Sequence, residues 1–147
     1  MGKTLTLEMV TPEKVAFSES ADFVALPAYE GEMGVLPGHE AFLVQLREGE
    51  IRIKTSSGTK NFAVSGGFAE VKKDKVSVFA ETAEMADEID AERAHQALEK
   101  AKSETLRPAD SLSLAQAEAA MRRAQVRIRV ANLRGRRGGT THPGLGE

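Results

Sequence analysis

"KVSVFAETAEMADEIDAERAHQAL", Lys75 to Leu98, contains the change of period on which the fold turns. Its first residues, Lys75 to Phe79, alternate Val76 and Val78 with Lys75, Ser77 and Phe79, as a strand with one buried face does. From about Asp87 the spacing lengthens, and Ala94, Ala97, Leu98 and Ala101 recur at helical intervals. Asp90 can cap that helix, and Glu92 sits in its first turn, where a negative charge is favoured. Arg93 breaks the pattern by placing a cation beside the positive end of the helix. "EIDAERA", Glu88 to Ala94, therefore reads as a helix start that could also be half of an anion site.

Upstream of this stretch everything is short and two-fold. "LTLEM" (Leu5 to Met9) and "IRIK" (Ile51 to Lys54) alternate, and "FVALP" (Phe23 to Pro27) is a continuous apolar run suited to a strand buried on both faces. Turn signals punctuate these runs at Thr11-Pro12-Glu13, Glu48-Gly49, Ser56-Ser57-Gly58, Gly66-Gly67 and Lys73-Asp74-Lys75. Short strands with short connections predict an antiparallel sandwich or barrel over the first half of the chain. "YEGEMGVLPGHEAF", Tyr29 to Phe42, is the densest turn chemistry; Gly31 and Gly34 permit positive φ, and Pro37-Gly38 suits a type II turn. Such a loop is also where a partner surface often sits.

Downstream, no glycine occurs until Gly135, and Pro108 is the one proline before it. Pro108 divides two helices, Asp110 or Ser111 can cap the second, and Gly135 is expected to end it. Ala117, Met121, Ala124, Ile128 and Ala131 continue the apolar spacing, so residues 87–135 are predicted to form an antiparallel two-helix hairpin. An alanine seam lets helices approach closely but buries only about 0.8 kcal/mol per methyl. The hairpin is thus expected to depend on further support and to be mobile. Residues 136–147, rich in Gly, Pro and Thr, read as a disordered tail.

Composition narrows the function. At 147 residues with 41% apolar content the chain holds one modest core and an appendage. A net charge of −2 and the absence of an aromatic platform on the second helix argue against a nucleic-acid binder. With no cysteine there is no disulfide, thiolate metal site or thiol nucleophile. No apolar run is long enough to span a membrane. His39, His95 and His142 fall in a loop, a helix and the tail without metal-site spacing. "GKT" at Gly2 to Thr4 lacks the upstream glycine of a phosphate loop, and "VSGGF" lacks the first glycine of a nucleophile elbow. The reading contains no catalytic set.

Charge in the helical half is polarised. Asp87, Glu88, Asp90, Glu92, Glu99 and Glu104 accompany the first helix, whereas the second carries Arg122, Arg123, Arg127, Arg129, Arg134, Arg136 and Arg137 without a lysine. Exposed ion pairs contribute little stability. Arginine is favoured where carboxylate or phosphate is gripped at two points, so an acidic protein surface or a polyphosphate suits this helix.

The "GEMGVLPGH" stretch, with "TPEKVAF" and "SGGFAEV", resembles the ε-subunit family of F-type ATP synthases from about Leu5 to Ala131. The resemblance implies a flattened antiparallel β-sandwich over residues 1–86, docked on the γ subunit and the ring of c subunits, with Glu30, Gly31, Glu32 and His39 at or near the c-ring face. It implies a non-catalytic rotor subunit whose mobile hairpin restrains ATP hydrolysis. Arg122, Arg123, Arg127 and Arg129 would then face the catalytic α and β subunits. Ile89, Asp90, Arg93 and Ala94 reproduce the "I/L-D-x-x-R-A" motif with which some members bind ATP, and Glu84, Lys100, Arg123 and Arg127 fall at further contacts. Lys100 stands where well-studied binders carry arginine. The family places the chain peripherally on the cytoplasmic side of a bacterial plasma membrane, touching it only through the complex. No cofactor is required, and ATP enters as a regulatory ligand. The rival reading is a free-standing nucleotide-sensing sandwich and hairpin, which leaves the Tyr29 to Phe42 loop unexplained.

Overall fold

The computed structural model describes residues 3–138, and the side chains of the last helix through Leu133. The chain divides into two compact units between Met85 and Ala86, within one residue of the expected boundary.

The first unit has eight strands: β1 (Leu5–Val10), β2 (Val15–Ala21), β3 (Phe23–Ala28), β4 (Gly31–Val35), β5 (Phe42–Thr55), β6 (Gly58–Val71), β7 (Lys75–Ala80) and β8 (Ala83–Met85). They follow the order β2-β1-β7-β6-β5-β3-β4, with β8 added to β6. Every pair is antiparallel except β1 with β7. Those two strands are far apart in sequence, so no tight turn dictates their direction. Alternation holds where it was read: Leu5, Leu7 and Met9 of β1 and Val76 and Val78 of β7 are fully buried. Val24, Ala25 and Leu26 of β3 are buried together, as the continuous apolar run requires. The core gathers these residues with Phe17, Val35, Ile51, Ile53 and Phe62, and the Phe17 and Phe62 rings meet edge-on at 4.9 Å.

Three glycines from two turn signals prove to be something else. Gly49 lies inside β5, where a side chain would strike the Pro27 ring of β3. Gly66 and Gly67 lie inside β6, at φ +110° and +131°. There the second neighbour of β6 changes from β8, paired at Phe62–Val64, to β7, paired at Gly67–Val71. These glycines allow close backbone approach within long strands rather than reversing the chain. The expected Tyr29–Phe42 loop contains β4. Gly31 and Gly38 take positive φ as anticipated, but Gly34 does not; it is glycine because the Phe23 ring lies against it.

The second unit begins with a 3-10 turn at Ala86–Glu88, then α1 (Ala91–Leu106) and α2 (Ser111–Gly138). Asp90 caps α1, accepting the Arg93 backbone N–H at 3.1 Å, and Asp110 caps α2 through the Ser113 N–H at 2.7 Å. Pro108 occupies the connection as read. The seam buries Ala94 and Ala101 of α1 and Ala117, Ala124 and Ala131 of α2. Ala97 is exposed instead, because a step of three residues from Ala94 carries it past the seam. Helix α2 continues through Gly135 to Gly138. A glycine that stays helical costs only about 1 kcal/mol relative to alanine and need not stop a helix. Residues 136–138 of the expected tail are therefore helical, and the remainder, 139–147, lies outside the described residues.

Candidate functional site

Two regions carry the candidate residues. In the hairpin, Ile89 and Ala94 are buried, whereas Asp90, Arg93 and Lys100 are exposed along α1. On α2, Arg123 is exposed and Arg127 half-buried. Arg127 holds a polar contact of its own, and its Nε is buried out of reach of a hydrogen-bond acceptor.

The flanks of the seam decide which of these residues share a surface. A groove lined by His95, Leu98, Gln125, Ile128, Arg129 and Asn132, among others, places the first half of α1 beside the second half of α2 and marks one flank. At about 100° per residue, Arg93 lies on the far side of α1 from His95, and Arg127 on the far side of α2 from Arg129. Arg93 and Lys100 thus share the other flank with Arg123 and Arg127. That flank carries four cationic groups, one of them the motif's Arg93, while Ile89 and Ala94 of the motif are buried and Asp90 caps the helix. Glu84 belongs to the first unit, where it lies half-buried in β8, and it holds an interaction of its own. The four arginines expected to face one partner are also divided. Arg123 and Arg127 belong to the motif flank, and Arg122 and Arg129, seven residues apart, to the groove flank.

Asp110 is the one described group with a resolved shift in acidity. The Ser113 backbone N–H, and then the Ser113 hydroxyl, hold its carboxyl below the usual value of 3.8. That follows from a charge accepting hydrogen bonds at a helix N-terminus. It is a cap, not a catalytic acid.

The sandwich candidates also separate. Tyr29 and Glu30 form the tight turn between β3 and β4, Gly31 opens β4 opposite Ala28, and Glu32 reaches across to pair with Arg52 at 3.0 Å. His39 lies beyond the other end of β4, packed against the Phe42 ring at 4.9 Å with its Nδ1 3.0 Å from the Glu40 carbonyl. The adjoining Gly38 N–H donates to the Lys73 carbonyl at 2.7 Å. Five residues of strand, about 17 Å, intervene. One expected loop surface is two spots.

Sequence reasoning missed a feature beside the first spot. Tyr29, Leu43, Phe68 and Phe79 are 60%, 68%, 45% and 37% exposed. Tyr29, Leu43 and Phe68 line a depression of about 480 Å³, and Phe68 stacks on Phe79 at 5.0 Å. A signal was present in "FLVQL": Phe42, Val44 and Leu46 keep the inward phase, so Leu43 is an apolar residue in an outward position. Val126 and Val130 of α2 were missed as well. They are buried about half a turn away from the Ala124 seam, giving α2 a second apolar stripe.

Among the described residues no cluster of potential ligands could hold a metal ion, and no helix is long and apolar enough to cross a membrane.

Comparison with known proteins agrees in both units. A family described as "ATP synthase, Delta/Epsilon chain, beta-sandwich domain" matches residues 4–86, and "ATP synthase, Delta/Epsilon chain, long alpha-helix domain" matches residues 87–132. The ATP synthase epsilon chain of Nitratidesulfovibrio vulgaris strain DP4 is 45% identical over 130 residues, covering 88% of this chain and 97% of that one. That of Desulforamulus reducens is 43% identical over 131 residues, covering 89% and 99%. Among solved structures, a chain of the Euglena gracilis mitochondrial ATP synthase, determined as OSCP/F1/c-ring, superposes with a TM-score of 0.76 at 28% identity over 90% of this chain and 83% of its own. A chain from the central stalk and c-ring of the Tetrahymena thermophila enzyme, at 13% identity and a TM-score of 0.59, shares the fold. From its sandwich through its hairpin, this chain belongs to the delta/epsilon chain family of ATP synthases.

Proposed function

We propose that the chain is a non-catalytic rotor subunit of a proton-translocating ATP synthase. Its sandwich couples the γ subunit to the c-ring, and its hairpin restrains ATP hydrolysis by the α and β subunits. The observation that carries this reading is the water-facing apolar patch of Tyr29, Leu43, Phe68 and Phe79 at the Tyr29–Glu30 turn. Large apolar side chains clustered on the surface of a small sandwich mark a docking face. Family membership names the assembly, and the Euglena relative is itself a chain of a complex with F1 and a c-ring. The same reading places the chain peripherally on the cytoplasmic face of a bacterial plasma membrane.

The hairpin supplies the regulatory half. Arg93, Lys100, Arg123 and Arg127 on one flank form an anion site that exists only while α1 and α2 lie together. ATP bound there favours the closed hairpin, because a ligand shifts an equilibrium by its differential affinity for the two states. When the hairpin opens, the same α2 arginines become available to an acidic surface of the catalytic subunits. ATP in this site is sensed rather than hydrolysed. The flank division supports a split of roles, with Arg123 and Arg127 turned to the nucleotide and Arg122 and Arg129 left for a partner, and Glu84 of β8 is proposed as a further nucleotide contact.

The test is truncation before Asp87 within the assembled complex. The shortened subunit is expected to assemble and support synthesis, while ATP hydrolysis rises. Unchanged hydrolysis would remove the hairpin from regulation. Failure to recover γ and catalytic subunits with the full chain from solubilised membranes would remove the rotor assignment altogether.

A further inference from the structure

The groove on the hairpin flank opposite the nucleotide motif has no role in the closed hairpin in the reading above, where its Arg129 serves a partner only once the hairpin opens. It encloses about 300 Å³ between α1 and α2. At roughly 30 Å³ per water-sized group this is room for about ten non-hydrogen atoms, at the small end of ligand sites. Its lining is chemically two-sided. Leu98, Ile128 and Leu133 provide an apolar floor, and Gln125, Asn132, His95 and Arg129 provide a polar rim. No carboxylate lines it, and Arg129 makes no hydrogen bond or ion pair among the described residues. A guanidinium beside an aliphatic floor, with no internal counter-charge, complements one kind of molecule: a short apolar chain ending in an anion. Inorganic phosphate would leave the floor wet, and a neutral hydrocarbon would leave Arg129 unanswered.

We propose that this groove is a second ligand site, for a small amphipathic carboxylate. Its chain lies on Leu98, Ile128 and Leu133, and its carboxylate is held by the Arg129 guanidinium. Because both helices contribute to the groove, the site is complete only in the closed hairpin, and occupancy holds the hairpin closed. The inference rests on the isolated chain alone, so failure of the rotor assignment would leave it standing.

The experiment titrates the full-length chain with octanoate, followed by methyl and amide NMR. Saturable shifts centred on Leu98, Ile128 and Leu133 are expected. Arg129→Gln should weaken binding tenfold or more, Arg129→Lys should restore part of it, and octanamide, which keeps the chain without the charge, should bind at least tenfold more weakly. At about one hundred times the dissociation constant, hairpin amides that exchange through opening should exchange about one hundred times more slowly. Shifts centred on Tyr29, Leu43 and Phe68 of the sandwich would overturn the proposal. So would equal binding of octanamide, equal binding by Arg129→Gln, or the absence of saturation.

Discussion

Replacing Gly67 by alanine should damage the sandwich far more than its single added methyl suggests. Two costs combine. At φ +131° an L-residue occupies a region reserved almost wholly for glycine, worth about 1–3 kcal/mol. The added Cβ would also meet the Phe79 carbonyl oxygen well inside van der Waals contact and lie 3.0 Å from the Ala80 Cα. Both are backbone atoms of β7, so relief requires moving a strand rather than a side chain, adding about 1–3 kcal/mol. The expected destabilisation is about 4 kcal/mol, or a fall in Tm of about 15–30 °C for a domain of this size. Gly38 is the internal control. Its φ of +86° is also positive, but no neighbouring atom lies within 4 Å of where a Cβ would stand, so Gly38→Ala should cost only about 1–2 kcal/mol. Thermal melting followed through core methyl resonances such as Leu7 and Val78 separates the sandwich from the hairpin. If the two variants melt within about 5 °C of each other, steric contact with β7 is not what makes Gly67 a glycine. The consequence reaches function because Phe79, whose carbonyl is displaced, stacks on Phe68 in the proposed docking face.

Two further outcomes concern the hairpin. Lys100→Arg should tighten ATP binding several-fold, up to about tenfold, by restoring the planar two-point grip on phosphate; calorimetry on the full chain reads this, and unchanged affinity would remove position 100 from the site. The Asp110 cap should be lost in acid. Its folded pKa is depressed, so its contribution is fully present above the unfolded value near 3.8 and disappears as pH falls through the lower folded value; exchange protection of the Ser113 amide should be flat above that window and fall within it.

The parts legible in the sequence were those governed by local periodicity and capping. Alternation in β1 and β7, the buried run in β3, and the caps Asp90 and Asp110 each depend on residues within one turn or one strand. The errors occurred where a distant contact sets the role of a residue. Gly49 and Gly67 look like turn glycines until Pro27 and Phe79 are seen beside them. Leu43 went unremarked, and its outward phase between Phe42 and Val44 is fixed by pairing with β6. Within the stretch from Ile89 to Ala94 the Asp90 cap was legible because its partner lies three residues away. The division of Arg122 and Arg129 from Arg123 and Arg127 was not, because it requires knowing which face of α2 meets α1. Glu84 is near the motif in sequence and belongs to the other unit in structure.

The energetics of the seam explain why either flank could control the hairpin. Five buried alanines contribute one methyl each, about 4 kcal/mol in all at ~0.8 kcal/mol per carbon. Leu98, Met121 and Ile128 are only half-buried and add less than full side chains would. Against this, a ligand present at one hundred times its dissociation constant stabilises its preferred state by about 2.7 kcal/mol. The two quantities are of the same order, so ligand occupancy can set the balance between closed and open forms, whereas a leucine seam would overwhelm it. The same argument couples the two flanks. A nucleotide on the Arg93 side and a carboxylate on the Arg129 side would both require the closed state, so each must strengthen the other by linkage. That coupling cannot exceed the reciprocal of the closed fraction in the free chain. If the free hairpin is already almost wholly closed, the two sites bind independently; only a hairpin that is often open can make one ligand report on the other. In the proposed sensing role the small residues along the seam matter for this reason: a weak seam is what would keep that fraction away from one.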